Sequence, residues 1–230
     1  MKRTEALEKL TGEIARIKRP HPIRVAIDGV DASGKTTLAN ELASLLEVVG
    51  RTVIRASIDG FHNPRAIRYQ AGDTSPEGYY HHSFDYKALK AALLDPLGPG
   101  GTLLYRRRVF DFKTDHQIST PTEQAEWDEI LLFDGVFLLR PELAGVWDYT
   151  IFVDVSFETS LKRALHRDQV LFGDTEEVSR RYTQRYIPGQ RIYLRNCRPK
   201  DKAHAVLEND DPANPVLRFN SQRETVSKNG

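Results

Sequence analysis

The sequence predicts an α/β fold built on a mainly parallel sheet. Two observations carry this. A strand, a helix and a second strand follow one another within about 35 residues, from Ile23 to Ile58, which makes a βαβ unit and so a parallel pair. Four strand-like apolar runs end on acids, at Asp28, Asp59, Asp134 and Asp154. In open parallel sheets ligands bind beyond the carboxyl ends of the strands, so such acids face a ligand or a metal, or else cap the next helix or turn.

The elements follow in order. Leu7, Leu10, Ile14 and Ile17 form one apolar helical stripe, which Pro20 and Pro22 end. Ile23–Asp28 reads as a strand, residues 35–48 as a helix with Gly50 past its end, and Thr52–Ile58 as a second strand. Residues 60–85 are rich in Gly, Pro, His, Tyr and Arg without clean periodicity, and so long an irregular stretch is usually functional or mobile. A helix over 86–94 stops at Pro96, and Leu103–Phe112 reads as a strand or hairpin. Ile130–Phe133, Tyr149–Val153 and Ala203–Leu207 are further core strands, with helices over 157–171 and 175–186. We expect one domain over residues 1–230: an N-terminal helix in 1–20, a core over 22–219, and a polar tail over 220–230 that frays.

Composition narrows the function. Lys plus Arg is 33 and Asp plus Glu is 32, a net charge of +1, which argues against a nucleic-acid coat. The 40 % apolar and 28 % charged residues are those of a globular protein. The single cysteine, Cys197, allows no internal disulfide, and the seven histidines show no metal-ligand spacing. No apolar run is long enough to span a membrane, and Met1–Pro20 lacks the core of a secretory signal, so a cytoplasmic setting is expected.

The sharpest motif is Gly29-Val30-Asp31-Ala32-Ser33-Gly34-Lys35-Thr36, which fits the Walker A pattern between a strand and a helix; Thr37 follows it. Glycines let the backbone turn so that several N–H groups point at phosphate oxygens, and the helix N-terminus adds positive charge. Lys35 reaches the β and γ phosphates, and the Thr36 hydroxyl ligates Mg²⁺. No guanine-reading Asn-Lys-x-Asp is present, nor a Ser-Gly-Gly-Gln signature, and the chain is short for a helicase. A small kinase or a nucleotide-driven switch is left.

The stretches Asp59-Gly60-Phe61-His62, Ser75–Tyr80, Ser83–Tyr86, Asp134-Gly135 and Arg163–Asp168 follow the loop in that order. Together they resemble the uridine kinase-like branch of the P-loop small-molecule kinases, the phosphoribulokinase/uridine kinase/pantothenate kinase family, over roughly residues 22 to 210. The resemblance implies a three-layer α/β/α P-loop NTPase sandwich with a mainly parallel five-stranded sheet, nucleoside-monophosphate-kinase-like, with a small lid. It implies an ATP- and Mg²⁺-dependent enzyme with Asp59 as the base, Asp134 beside the metal, and Arg163 and Arg167 in the lid. The family usually has glutamate where Asp134 stands.

His62, Arg68, Tyr80, His82, Phe84, Phe110 and Asp115 are the candidate acceptor residues. His82 stands near an aspartate that holds ribose in uridine kinases, and Phe110 and Asp115 near a tyrosine and a histidine for the pyrimidine. Uridine or cytidine is the first acceptor to test; pantothenate, nicotinamide riboside and a sugar-like alcohol stay open, as does a non-catalytic switch. No nucleic-acid or membrane partner is expected, and a homo-oligomer is left open. The run Arg185–Arg191 recurs in form among bacterial members of the branch, with no role readable from its spacing. Glu208-Asn209-Asp210 lies where such kinases often touch adenine.

Overall fold

Strand β1, Ile23–Gly29, is buried at every residue and alternates its side chains between two cores. Val25 and Ile27 pack with Leu10 and Ile14 of helix α1 (Arg3–Arg16) and Leu38 and Leu42 of helix α2 (Lys35–Val48). Ala26 faces the other way, into a core with Phe133, Phe152 and Tyr193. That second face is covered in part by helix α3 (Pro76–His82) and by the last helix below. The computed structural model describes residues 1–220; the predicted tail lies outside the described residues, save Asn220.

Strands β2 (Val53–Ser57), β3 (Ile130–Gly135), β4 (Tyr149–Asp154), β5 (Ala205–Glu208) and β6 (Val216–Phe219) complete the sheet in the order β6-β5-β4-β1-β3-β2. The first five elements predicted as core strands pair in parallel, as the sequence reading requires. A sixth strand, β6, joins the edge antiparallel to β5, an addition to the predicted five. The chain leaves β1 for β2 on one side and later returns to β4 on the other, which opens a crevice at the carboxyl end of β1. Register sets the site: Ser57 pairs with Asp134, and Asp28 with Gly135, so three strand ends lie level.

Four segments differ from expectation. The stretch 60–85 holds short helices, including Arg65–Arg68 and α3, started by the Ser75 side chain and Pro76. Residues 103–112 make no single hairpin; Leu104–Tyr105 pairs with Glu123–Gln124, and Phe110–Asp111 with His116–Gln117. The helix predicted over 157–171 is Phe157–Arg167 (α4), then a separate turn, Gln169–Phe172. The helix predicted over 175–186 starts as α5 (Thr175–Arg181), widens into a π-turn at Tyr182–Tyr186, and runs on as α6 (Ile187–Cys197). Pro188 lacks the N–H that an α-helix needs, and the π-turn just before it absorbs the mismatch. Among the described residues no helix is long and apolar enough to cross a membrane.

Candidate active site

The loop after β1 is shaped by its backbone. Ala32 takes a φ of 54° and Gly34 one of 96°. A Cβ on Gly34 would sit 2.8 Å from Asn209 Nδ2, which donates to the Ser33 carbonyl at 2.7 Å, so only glycine fits there. Lys35 is buried and donates from Nζ to the Val30 carbonyl at 2.6 Å, arching over its own loop. Burial lowers its pKa, and the carboxylates of Asp31, Asp28 and Asp134 oppose that. Beneath the loop, Asp28 is fully buried and accepts from the Gly29 N–H and the Tyr193 hydroxyl; burial pushes its carboxyl up to about 6. Thr37 is exposed on the first turn of α2 and lines neither cavity described below.

Thr36 Oγ1 donates to Asp134 Oδ2 at 2.6 Å, and Arg55 donates to Asp134 Oδ1 at 2.8 Å. Arg55 also donates to the Leu132 carbonyl at 2.6 Å, so a buried carboxylate is fixed through both oxygens. Sequence reading missed Arg55; its signal is an arginine on a strand that parallel pairing sets beside the Asp134 strand. A hydroxyl and a carboxylate side by side are hard oxygen donors, a set that fits Mg²⁺ with water and phosphate completing its shell.

Lys35, Thr36, Asp59 and Asp134 open into one cavity of about 910 Å³. Asp31, His62, Arg68, Phe84 and Arg167 line it too. Asp59 is exposed at the end of β2. His62 donates from Nδ1 to the Asp59 carbonyl at 3.1 Å, and its ring lies 4.6 Å from Phe84 and 5.3 Å from Phe112. Burial lowers the His62 pKa against the pull of the Asp59 charge. A second cavity of about 850 Å³ meets the first at Thr36, Ser57, Asp59, Phe112, Lys113 and Asp134.

Several predicted site residues lie elsewhere. Tyr80 is buried in the core, its hydroxyl 3.4 Å from Cys197 Sγ and its ring 4.2 Å from the Arg140 guanidinium; successive helical side chains diverge, so its neighbour Tyr79 reaches the cavity instead. His82 lines neither cavity; its carbonyl accepts from Asn63. Asp115 also lines neither, because it accepts from the Arg65 N–H at 2.9 Å and from Arg68 at 2.9 Å. Phe110 lines the second cavity only. Arg163 and Arg167, four apart on α4, part company. Arg167 stays on the cavity rim, paired with Asp168 at 2.6 Å, whereas Arg163 donates to the carbonyls of Asn209 at 2.6 Å and Ser33 at 3.4 Å. Of the four strand-end acids, Asp59 and Asp134 face the cavity, Asp28 lies under the loop, and Asp154 pairs with Lys200.

The run Arg185–Arg191 finds its place. Arg185, 2 % exposed, donates to the carbonyls of Arg68 at 2.7 Å, Gly72 at 3.0 Å and Ser75 at 3.1 Å, and so pins the cavity's outer loop. A Cβ on Gly189 would sit 2.8 Å from the Tyr79 ring, so its bare backbone lets α6 approach α3. Gln190 grips the loop from that side: its Oε1 accepts from the Asp31 N–H at 3.1 Å, and its Nε2 donates to Asp31 Oδ2 at 2.6 Å.

A family model described as the phosphoribulokinase / uridine kinase family matches residues 24–211. The class of protein is the P-loop kinases, nucleotide-binding transferases on an α/β sheet. Within that class, the chain belongs to the phosphoribulokinase/uridine kinase family. A uridine kinase of Lactobacillus helveticus is 26 % identical over 160 residues, 66 % of this chain and 70 % of that protein. Uridine-cytidine kinase B of Dictyostelium discoideum is 27 % identical over 149 residues, 64 % of this chain and 59 % of the relative. A solved structure of a "possible uridine kinase" from Bacillus stearothermophilus shares the fold with a TM-score of 0.69 at 24 % identity, over 88 % of this chain and 97 % of that one.

Proposed function

We propose that the protein is an ATP- and Mg²⁺-dependent kinase of a small-molecule alcohol, with a nucleoside such as uridine or cytidine as the first acceptor to test. The observation that carries this reading is that Lys35, the Thr36–Asp134 pair and Asp59 share one cavity. The loop amides at the N-terminus of α2 suit phosphate oxygens, and the Thr36–Asp134 oxygens suit the metal. When bound, ATP supplies the phosphoryl group and Mg²⁺ offsets its charge.

In this reading Lys35 exchanges the Val30 carbonyl for phosphate oxygens. Asp59 takes the proton of the acceptor hydroxyl while that oxygen bonds to the γ-phosphorus and the bond to the departing ADP oxygen breaks. The products are the phosphorylated alcohol and ADP. Arg167, on the rim, stabilises the developing charge, and Arg163 steadies the loop through Ser33. The rings of His62, Phe84 and Phe112 offer a planar acceptor a stacking surface. The uridine kinase relatives support the nucleoside choice.

The test is a coupled ADP-release assay with uridine, cytidine, nicotinamide riboside, pantothenate and sugars. Stimulation by one of these above the rate of ATP alone supports the reading. Tight ATP binding with no stimulation by any of them overturns it in favour of a switch.

A further inference from the structure

Asp31 has no part in the chemistry above, yet it is among the most firmly held side chains at the site. Its N–H donates to Gln190 Oε1 at 3.1 Å, and its carbonyl accepts from Ser160 Oγ at 2.7 Å. Its Oδ2 accepts from Tyr79 at 2.8 Å and from Gln190 Nε2 at 2.6 Å. Two elements, α3 and α6, thus fix the carboxylate through one oxygen, while α4 steadies its backbone through Ser160. The other oxygen, Oδ1, accepts no hydrogen bond from any described residue and is not sealed in the interior. Asp31 lines the same cavity as Asp59 and Lys35.

A carboxylate only accepts, so the group that meets Oδ1 must donate. The nearby cations Lys35 and Arg167 are directed to the Val30 carbonyl and to Asp168, and the loop's neighbouring phosphates are anionic and cannot fill that role. The acceptor substrate can, since Asp59 already draws its reacting hydroxyl into this cavity. We propose that Asp31 is a specificity-determining residue that binds a second hydroxyl of the acceptor, so that the substrate is a polyol with a hydroxyl close to the one phosphorylated. The inference rests on the kinase reading above and adds to it. It also gives the cavity a hydroxyl-reading acid where His82 has turned away. Holding Asp31 ready in advance spares the ordering cost at the moment of binding.

Asp31→Asn is the informative variant. Tyr79 and Gln190 both donate to Oδ2, so the amide oxygen keeps those bonds and the amide nitrogen replaces Oδ1. The loop stays anchored while the cavity-facing acceptor becomes a donor. Steady-state kinetics compare uridine with 2′-deoxyuridine and 3′-deoxyuridine, and D-ribose with 2-deoxy-D-ribose. We expect the wild-type protein to lose about tenfold to hundredfold in kcat/KM on one deoxy analogue of the acceptor it uses. Asp31→Asn should lose a similar factor on the parent polyol through its KM, with KM for ATP within about twofold, and should no longer tell parent from deoxy analogue. Equal use of polyol and deoxy forms by the wild type, or undiminished discrimination by the variant, overturns the proposal and leaves the kinase reading standing. Absence of stimulation by every acceptor in the wild type removes the kinase reading itself and this inference with it.

Discussion

The phosphate end of the cavity comes from one continuous stretch, Gly29–Thr36, whereas the acceptor end is gathered from residues 59–84, 112–113 and 167–186. The first end owes its shape to local turns, with Gly34 in a conformation that few other residues adopt. The second has no such local code. It is held by tertiary bonds, above all those of Arg185 to four backbone carbonyls. A contiguous site is therefore written in a motif, and a gathered site is written in whatever buried side chain ties the pieces together.

Five substitutions break or sharpen this contrast. Asp59→Asn, at the junction of the two ends, should lower kcat by about 10³-fold and leave ATP affinity unchanged, as read by single-turnover kinetics beside nucleotide titration. A rate near that of the wild type would remove Asp59 from the base role.

Arg185→Leu should strike the gathered end alone. Its partner carbonyls lose their donor, so stability should fall by about 3 kcal/mol in denaturant titration. The acceptor KM should rise while KM for ATP stays put.

Arg167→Ala should cost about tenfold to hundredfold in kcat, and Arg163→Ala should act on KM for ATP with kcat nearly intact. Equal kcat losses in the two variants would dissolve the distinction that the structure draws between them.

The smallest effect concerns the floor of the phosphate loop. The folded pKa of Asp28 is raised to about 6, above its ordinary value of 3.8. The folded state therefore holds this proton more tightly, and the stability it contributes is present at low pH and lost as pH rises through about 6. Asp28→Asn lacks that loss. Between pH 4.5 and 7.5 its stability should gain on the wild type by about 2 kcal/mol, measured by urea unfolding at both pH values. A difference that does not change with pH would mean that Asp28 is ionised throughout.

The same contrast explains what the sequence discloses. The parallel sheet, the loop and the strand-end acids Asp59 and Asp134 are legible because each follows from neighbours in the chain. Helix α6 is missed because Pro188-Gly189 reads as a break, while the π-turn before it lets the helix continue. Strand β6 is missed because it is only four residues long and sits at the sheet edge, where Leu217 alone is buried. Tyr80 and Tyr79 look alike as neighbours, and only the packing of α3 sends one inward and the other to the cavity. Asp115 reads as a pocket residue until Arg68 claims it. Asp31 carries a signal of its own, an acid in a loop whose other duties are all to anions.

Asn209 stands 176 positions beyond the carbonyl of Ser33 that it secures. A ribosome releases Gly29–Thr36 long before it makes that asparagine. The anion-receiving turn is thus left without its clasp through most of synthesis, and a nascent chain acquires a finished nucleotide pocket only when strand β5 has emerged and docked against β4.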